Sequence, residues 1–176
     1  MIISRYDDVT IRDFQEEDIP LKVEWINNPL NNKYLHYDIP LQLNKTIMWF
    51  RNRNVNNRID CVIEYSEKPV GIIGLLAIDR INSKAEYYIT VGDAEFKGKG
   101  IATKATKAIL IYAFQKLNLH KIYLNVDADN TIARHLYEKC GFVQEGYFSD
   151  DLYRNSENRF IDRVRYSIFE QNIKEL

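Results

Sequence analysis

Glu95-Phe-Lys-Gly-Lys-Gly-Ile-Ala-Thr103 is the stretch on which the reading of this chain turns. Ahead of it runs Ala85-Glu-Tyr-Tyr-Ile-Thr-Val91, extended and apolar-aromatic. Behind it Ala102, Ala105, Ile109, Ala113 and Leu117 recur at helical spacing. A strand therefore feeds a glycine-bearing turn, and the turn opens a helix. Gly98 and Gly100 remove side chains where the backbone must bend sharply or let a second molecule come close. The amides that begin a helix have no partner inside it, and the helix dipole adds partial positive charge there. That combination suits a phosphate or pyrophosphate, with Lys97, Lys99 and Lys104 adding full charge nearby. For so short a pattern taken alone, the plainer reading of an ordinary strand-to-helix turn with solvated lysines stays open.

The whole chain bounds the answer. Its 176 residues read as a single domain, residues 1–176, large enough to bury a real core. Composition is globular, at 45% hydrophobic and 28% charged, and a net charge of −1 gives no reason to expect nucleic acid or a membrane as partner. Two cysteines, Cys61 and Cys140, make no disulfide framework and read as buried thiols; no paired Cys/His spacing suggests a metal. The N-terminus lacks a signal-peptide pattern and no apolar run approaches membrane-spanning length, so a cytoplasmic protein is expected.

Residues 9–14 read as a first strand, and Gln15-Glu-Glu-Asp18 opens a helix carrying Leu21, Val23, Trp25 and Ile26 that ends at Asn27-Asn-Pro29. Residues 30–40 read as an irregular loop rich in Asn and Tyr, either lining a pocket or packed as surface. Asn44 is expected to cap a second helix. Residues 58–65 and 69–78 pair as a hairpin across Ser66-Glu-Lys68. After the long helix come a strand at 121–126, a turn at 127–130, and a helix bearing Ile132, Ala133, Leu136, Tyr137 and Cys140, with Gly141 as its left-handed cap. Two strands close the chain at 142–148 and 158–169. In the last, Phe160, Val164, Tyr166 and Ile168 are expected on one face, Arg163 and Arg165 on the other. This order predicts an α/β domain with a mixed, mostly antiparallel central sheet flanked by about four helices. Strands and helices do not alternate, so a doubly wound fold does not fit.

Lys97-Gly-Lys-Gly-Ile-Ala102, between strand and helix, resembles the acetyl-CoA signature of the GNAT superfamily of N-acetyltransferases, Gln/Arg-x-x-Gly-x-Gly/Ala. Thirty residues on, Asn130-Thr-Ile-Ala-Arg-His-Leu-Tyr-Glu-Lys-Cys-Gly-Phe142 is similar to the family's second motif, Asn-x-x-Ala-x-x-Leu-Tyr-x-x-x-Gly-Phe. Lys97 is the departure, standing where glutamine or arginine is usual. The resemblance spans about residues 8–169 and implies a GNAT-like fold with acetyl-CoA as co-substrate. It implies that Lys97, Gly98, Lys99, Gly100, Ile101, Ala102 and Thr103 hold the pyrophosphate. Ile89, Thr90 and Val91 would lie along the pantetheine and supply an oxyanion amide. Asn130 and Ala133 also fall on the cofactor side, with helix capping as the other role of Asn130. Tyr137 would face the sulfur and protonate the leaving thiolate; alone, it reads as a core tyrosine. Glu86, a carboxylate in an apolar-aromatic strand, is the candidate base, with an ion pair as its plainer role. Asp150, Asp151 and His36 are weaker candidates for that base.

The acceptor is less legible. Trp25-Ile-Asn-Asn28-Pro29, then Tyr34 and Tyr37, is similar to the acceptor-side segment of bacterial amino-sugar enzymes, and His36 lies between them. A polyamine site should be rich in carboxylates, whereas residues 31–40 offer asparagines and tyrosines with only Asp38. The expectation is a small-molecule amine acceptor, a nucleotide-linked amino sugar, ahead of a polyamine, a protein N-terminus, or CoA binding without transfer. A homodimer through an open strand edge is left open.

Overall fold

The computed structural model describes residues 1–175, with side chains to residue 173. Eight strands form one sheet: β1 (Ile2–Tyr6), β2 (Val9–Asp13), β3 (Ile59–Tyr65), β4 (Lys68–Asp79), β5 (Lys84–Val91), β6 (Lys121–Asp127), β7 (Val143–Arg154) and β8 (Arg159–Phe169). Their spatial order is β1-β2-β3-β4-β5-β6-β8-β7, antiparallel throughout except between β5 and β6. The helices are α1 (Ile19–Asn27), α2 (Pro29–Asn32), α3 (Leu43–Asn52), α4 (Ile101–Gln115) and α5 (Thr131–Lys139).

The period-two alternation of the strands sorts side chains into two cores. On one face Cys61, Ile63, Ile73 and Leu75 meet Ala105, Ile109 and Ala113 of α4 and Tyr137 of α5. On the other, Val62 and Ile72 meet Phe14 and, from α1, Ile19, Trp25 and Ile26. Each fully buried aliphatic side chain contributes about 1.5–3 kcal/mol. The α4 stripe is therefore what fixes this helix, and the glycine turn before it, against the sheet.

The parallel β5–β6 ladder is short. It pairs Lys84 with Lys121, Ala85 with Ile122 and Glu86 with Tyr123, and then stops. Beyond that row β5 continues beside β4 to Val91, and β6 continues beside β8 to Asp127. The sheet opens between them.

The sequence reading departs from this architecture in five places. β1, Ile2-Ile-Ser-Arg-Tyr6, is too short and too little buried to show an alternating pattern; it hairpins onto β2 through Asp7, whose φ is 51°. Part of the expected loop is α2, where Pro29 fits the first helical position and Asn28 Oδ1 accepts the Leu30 N–H at 3.0 Å. Helix α3 starts after Gln42, earlier than an Asn44 cap would place it. Strand β7 runs on to Arg154 through a bulge between Phe148 and Leu152. In β8, Phe160 is 58% exposed and Ile161 is buried instead, where the register with β7 shifts between Phe148 and Leu152. Arg163 and Arg165 thus sit on an interior strand, and the sheet's two edges are β1 and β7.

Candidate active site

Where β5 and β6 part, a cavity of about 1180 Å³ enters the molecule. Its walls are β5 beyond Glu86, β6 beyond Leu124, the first turns of α5, residues 34–42 and the inner side of α3. At one end lies the glycine turn. Gly98 and Gly100 have φ of 77° and 76°, and a Cβ on either would meet nothing within 4 Å, so there is room beside the backbone for another molecule. Gly100 precedes α4 and no side chain caps that helix. The first ladder bond there runs from the Lys104 N–H to the Gly100 carbonyl at 3.1 Å, leaving the amides of Ile101, Ala102 and Thr103 without helical partners. An anion fits this turn.

The side chains around it divide. Ile101 is buried in the core, so its contribution to a ligand is its backbone. Lys97 and Ala102 line the cavity. Lys97 Nζ also donates to the Leu30 carbonyl at 3.3 Å and to Asn31 Oδ1, tying the turn to α2. Lys99 sits 4.9 Å over the Phe96 ring. Lys104 is taken by Asp8 at 2.6 Å, so one of the three expected lysine charges is already neutralised.

Ile89, Thr90, Val91, Asn130, Ala133 and Tyr137 all line the cavity. Asn130 also caps α5, its Oδ1 accepting the Ala133 N–H at 3.2 Å. The Tyr137 ring is buried, edge-on to Tyr87 with centroids 6.0 Å apart. Its hydroxyl has no hydrogen-bond partner among the described residues. Burial holds this phenol well above its ordinary pKa, so it stays protonated at neutral pH.

Glu86 faces the same space from β5. Its partner is an amide and not the expected cation: Asn125 Nδ2 donates to Glu86 Oε1 at 3.1 Å. Arg165 Nε donates to Asn125 Oδ1 at 3.0 Å, and an arginine can only donate, so the amide group is fixed with its NH₂ toward Glu86. Asp150 and Asp151 lie on β7, outside the cavity.

Of the expected acceptor residues, Tyr34, His36 and Tyr37 line the cavity, but Trp25 and Asn28 do not. Trp25 packs under Gly92, where a Cβ would fall 2.1 Å from its Cγ, and Asn28 is spent on the α2 cap. His36 Nε2 lies 2.7 Å from Asp127 Oδ1, and the buried Asp127 also accepts from Arg154 Nη2 at 2.9 Å. Arg154 is held in turn by Asp129 and Glu157.

Lys22, Trp49 and Arg58 are among the lining residues that the sequence reading does not single out. Lys22 is only 6% exposed, its Nζ 3.8 Å from the Trp49 ring centroid, and Arg58 lies 4.8 Å from the same ring. Burial pulls Lys22 down to about 8. A signal existed, since Lys22 stands at i+3 from Ile19 and at i−3 and i−4 from Trp25 and Ile26, on the apolar stripe of α1.

Residues 8–143 match the family described as "Acetyltransferase (GNAT) domain". This chain belongs to the GNAT acetyltransferases. It is 31% identical over 159 residues to the spermidine N(1)-acetyltransferase of Vibrio cholerae, covering 89% of this chain and 91% of that protein. To the Escherichia coli K12 spermidine N(1)-acetyltransferase it is again 31% identical over 159 residues, covering 81% and 84%. A crystal structure of the Vibrio cholerae spermidine N-acetyltransferase in complex with CoA and spermine superposes with a TM-score of 0.86 at 30% identity, covering 95% and 98%. The GNAT chain described here is an acetyl-CoA-dependent N-acetyltransferase with a mixed, mostly antiparallel sheet. Among its described residues no helix is long and apolar enough to cross a membrane.

Proposed function

We propose that this acetyltransferase moves the acetyl group to the primary amine of a small-molecule acceptor by direct attack, with no acyl-enzyme. The supporting observation is that the Glu86 carboxylate and the unpartnered Tyr137 hydroxyl line one continuous cavity that also reaches the glycine turn. Bound acetyl-CoA supplies an activated thioester. The open turn at Gly98 and Gly100 and the amides of residues 101–103 hold its pyrophosphate. The β5 edge at residues 89–91 lies beside the pantetheine and offers an amide to the thioester oxygen. Glu86 takes the proton that an amine must lose before it can attack. Tyr137, kept protonated by burial, hydrogen-bonds or protonates the departing sulfur.

For the acceptor, similarity to two spermidine N(1)-acetyltransferases favours a polyamine over the nucleotide-linked amino sugar expected from the sequence. One observation favours a second reading, an amine that also carries an acidic group: Lys22 and Arg58 line the cavity. A cytoplasmic location belongs to the same proposal, supported by the co-substrate. So does self-association through the β7 edge, supported by exposed Val143, Tyr147 and Tyr153. Sedimentation at about 50 µM tests the latter, and a monomer overturns it.

The reaction is tested by free-thiol release from acetyl-CoA with spermidine, spermine, UDP-amino sugars and short peptides. Turnover of a small amine that collapses in Tyr137→Phe and Glu86→Gln is expected. Tight acetyl-CoA binding without turnover of any amine refutes transfer in favour of a silent CoA binder.

A further inference from the structure

We propose that Lys22, Arg58 and Trp49 form a subsite for an acidic group, carboxylate or phosphate, carried by the acceptor away from its reacting amine. The proposal rests on the transfer reading above and takes its second acceptor class.

Lys22 is nine-tenths buried yet borders the cavity. Its ammonium makes no hydrogen bond or ion pair among the described residues. Its neighbours are the ring of Trp49, and at 5.7 and 5.8 Å those of Phe14 and Tyr37. A buried ammonium held only by aromatic faces is undersatisfied, and the partner it lacks is an anion. Asp38 and Glu86 line the same cavity, but neither makes an ion pair with Lys22. Asp60, the acid nearest this cluster, accepts from Arg58 at 2.7 and 2.8 Å and from the Tyr88 hydroxyl at 2.8 Å, with Arg53 Nε 3.4 Å away. Three cations thus face one carboxylate, and Tyr37 and Tyr88 stay neutral because burial raises both phenols. The excess is positive and borders empty volume. A polycation entering that end would meet Lys22 and Arg58, whereas an acid would complete the cluster, with Trp49 holding both cations in place.

Burial brings Lys22 to about 8, so its charge, and with it the grip on an acid, fades above that pH. The test is calorimetric binding to the whole chain of UDP and glucosamine 6-phosphate (phosphate arm), glutamate (carboxylate arm) and spermidine, at matched ionic strength. One acidic arm is expected to bind, and which one identifies the acid. Its affinity should drop at least tenfold in Lys22→Met, hold within threefold in Lys22→Arg, and fall about tenfold between pH 7 and 9 in the parent only. Acetyl-CoA affinity should be unchanged in all three proteins, which also reports that the variants fold. The proposal is overturned if only spermidine binds, or if Lys22→Met holds the acid as tightly as the parent. Failure of the transfer reading looks different: anion binding dependent on Lys22 persists, while no amine releases thiol.

Discussion

Tyr137→Phe separates chemistry from structure with a single atom. In the fold the Tyr137 hydroxyl makes no hydrogen bond with the described residues, while the ring does the packing, against Tyr87, Phe142 and Tyr166 at centroid distances of 6.0, 5.9 and 6.4 Å. Phenylalanine keeps every ring contact. Removing a buried hydroxyl that has no protein partner is close to neutral, so stability should move by no more than about 0.5 kcal/mol. In a chain of this size that corresponds to roughly 2 °C in Tm. The rate should behave differently. A positioned proton donor contributes roughly 10²–10⁴-fold, about 2.7–5.5 kcal/mol of barrier. Because burial raises this phenol, no pH–rate limb below about pH 10 should belong to it. The assay is thiol release under saturating acetyl-CoA, with calorimetry on the same samples. A kcat within threefold of the parent at unchanged Tm would refute the assignment.

Other outcomes follow from the same geometry. Glu86→Gln should lose about 100-fold in kcat/KM near neutral pH, and the deficit should shrink as pH rises toward the amine's own pKa; a pH-independent deficit argues against a base. Gly100→Ala meets no steric obstacle but must hold φ near 76°, so it should cost about 1–2 kcal/mol and weaken acetyl-CoA binding, read by calorimetry and titration. Gly92→Ala, with its Cβ 2.1 Å from Trp25 Cγ, should cost about 3 kcal/mol or more, seen as a Tm drop of several degrees. Arg154→Met removes one partner of the buried Asp127 and leaves it His36, so it should cost about 1–3 kcal/mol, read by denaturant unfolding. Arg154 holds the Asp129 carboxyl below its ordinary value, so that stabilisation is present above about pH 4 and lost as pH falls through the depressed value. The acid limb of an unfolding curve should therefore be shallower in Arg154→Met.

How far the sequence reached follows from which signals are local. The glycine turn, the α5 stripe ending at Gly141 and the Ser66 turn are written in consecutive residues, and the fold bears them out except at Ile132, which is 85% exposed: Gly141 has φ of 90°, and Ser66 and Glu67 have φ of 49° and 65°. Lys22 reads as surface because it is a lysine, whereas the rings that cover its ammonium include Trp49, 27 positions away. Trp25 was drawn into the acceptor site through a segment resemblance, whereas its contact with Gly92 joins residues 67 positions apart. The His36–Asp127 contact is equally non-local, spanning 91 positions. Pairings of that kind leave no periodicity to read.

The short β5–β6 ladder also bears on how the chain assembles. Residues 2–91 form β1 to β5 as a meander in which every strand lies beside its sequence neighbour, whereas in residues 121–169 β6 pairs with β8 across the intervening α5 and β7. Three residue rows and α4 are what join the two blocks within the sheet. During synthesis the pairings within the first block can form before residue 92 is made, at small loop-closure cost, while β5 gains its β6 neighbour only with the second block. The second block docks afterwards. The cleft lies along that seam, so a shift of one block against the other changes the width of the cleft directly.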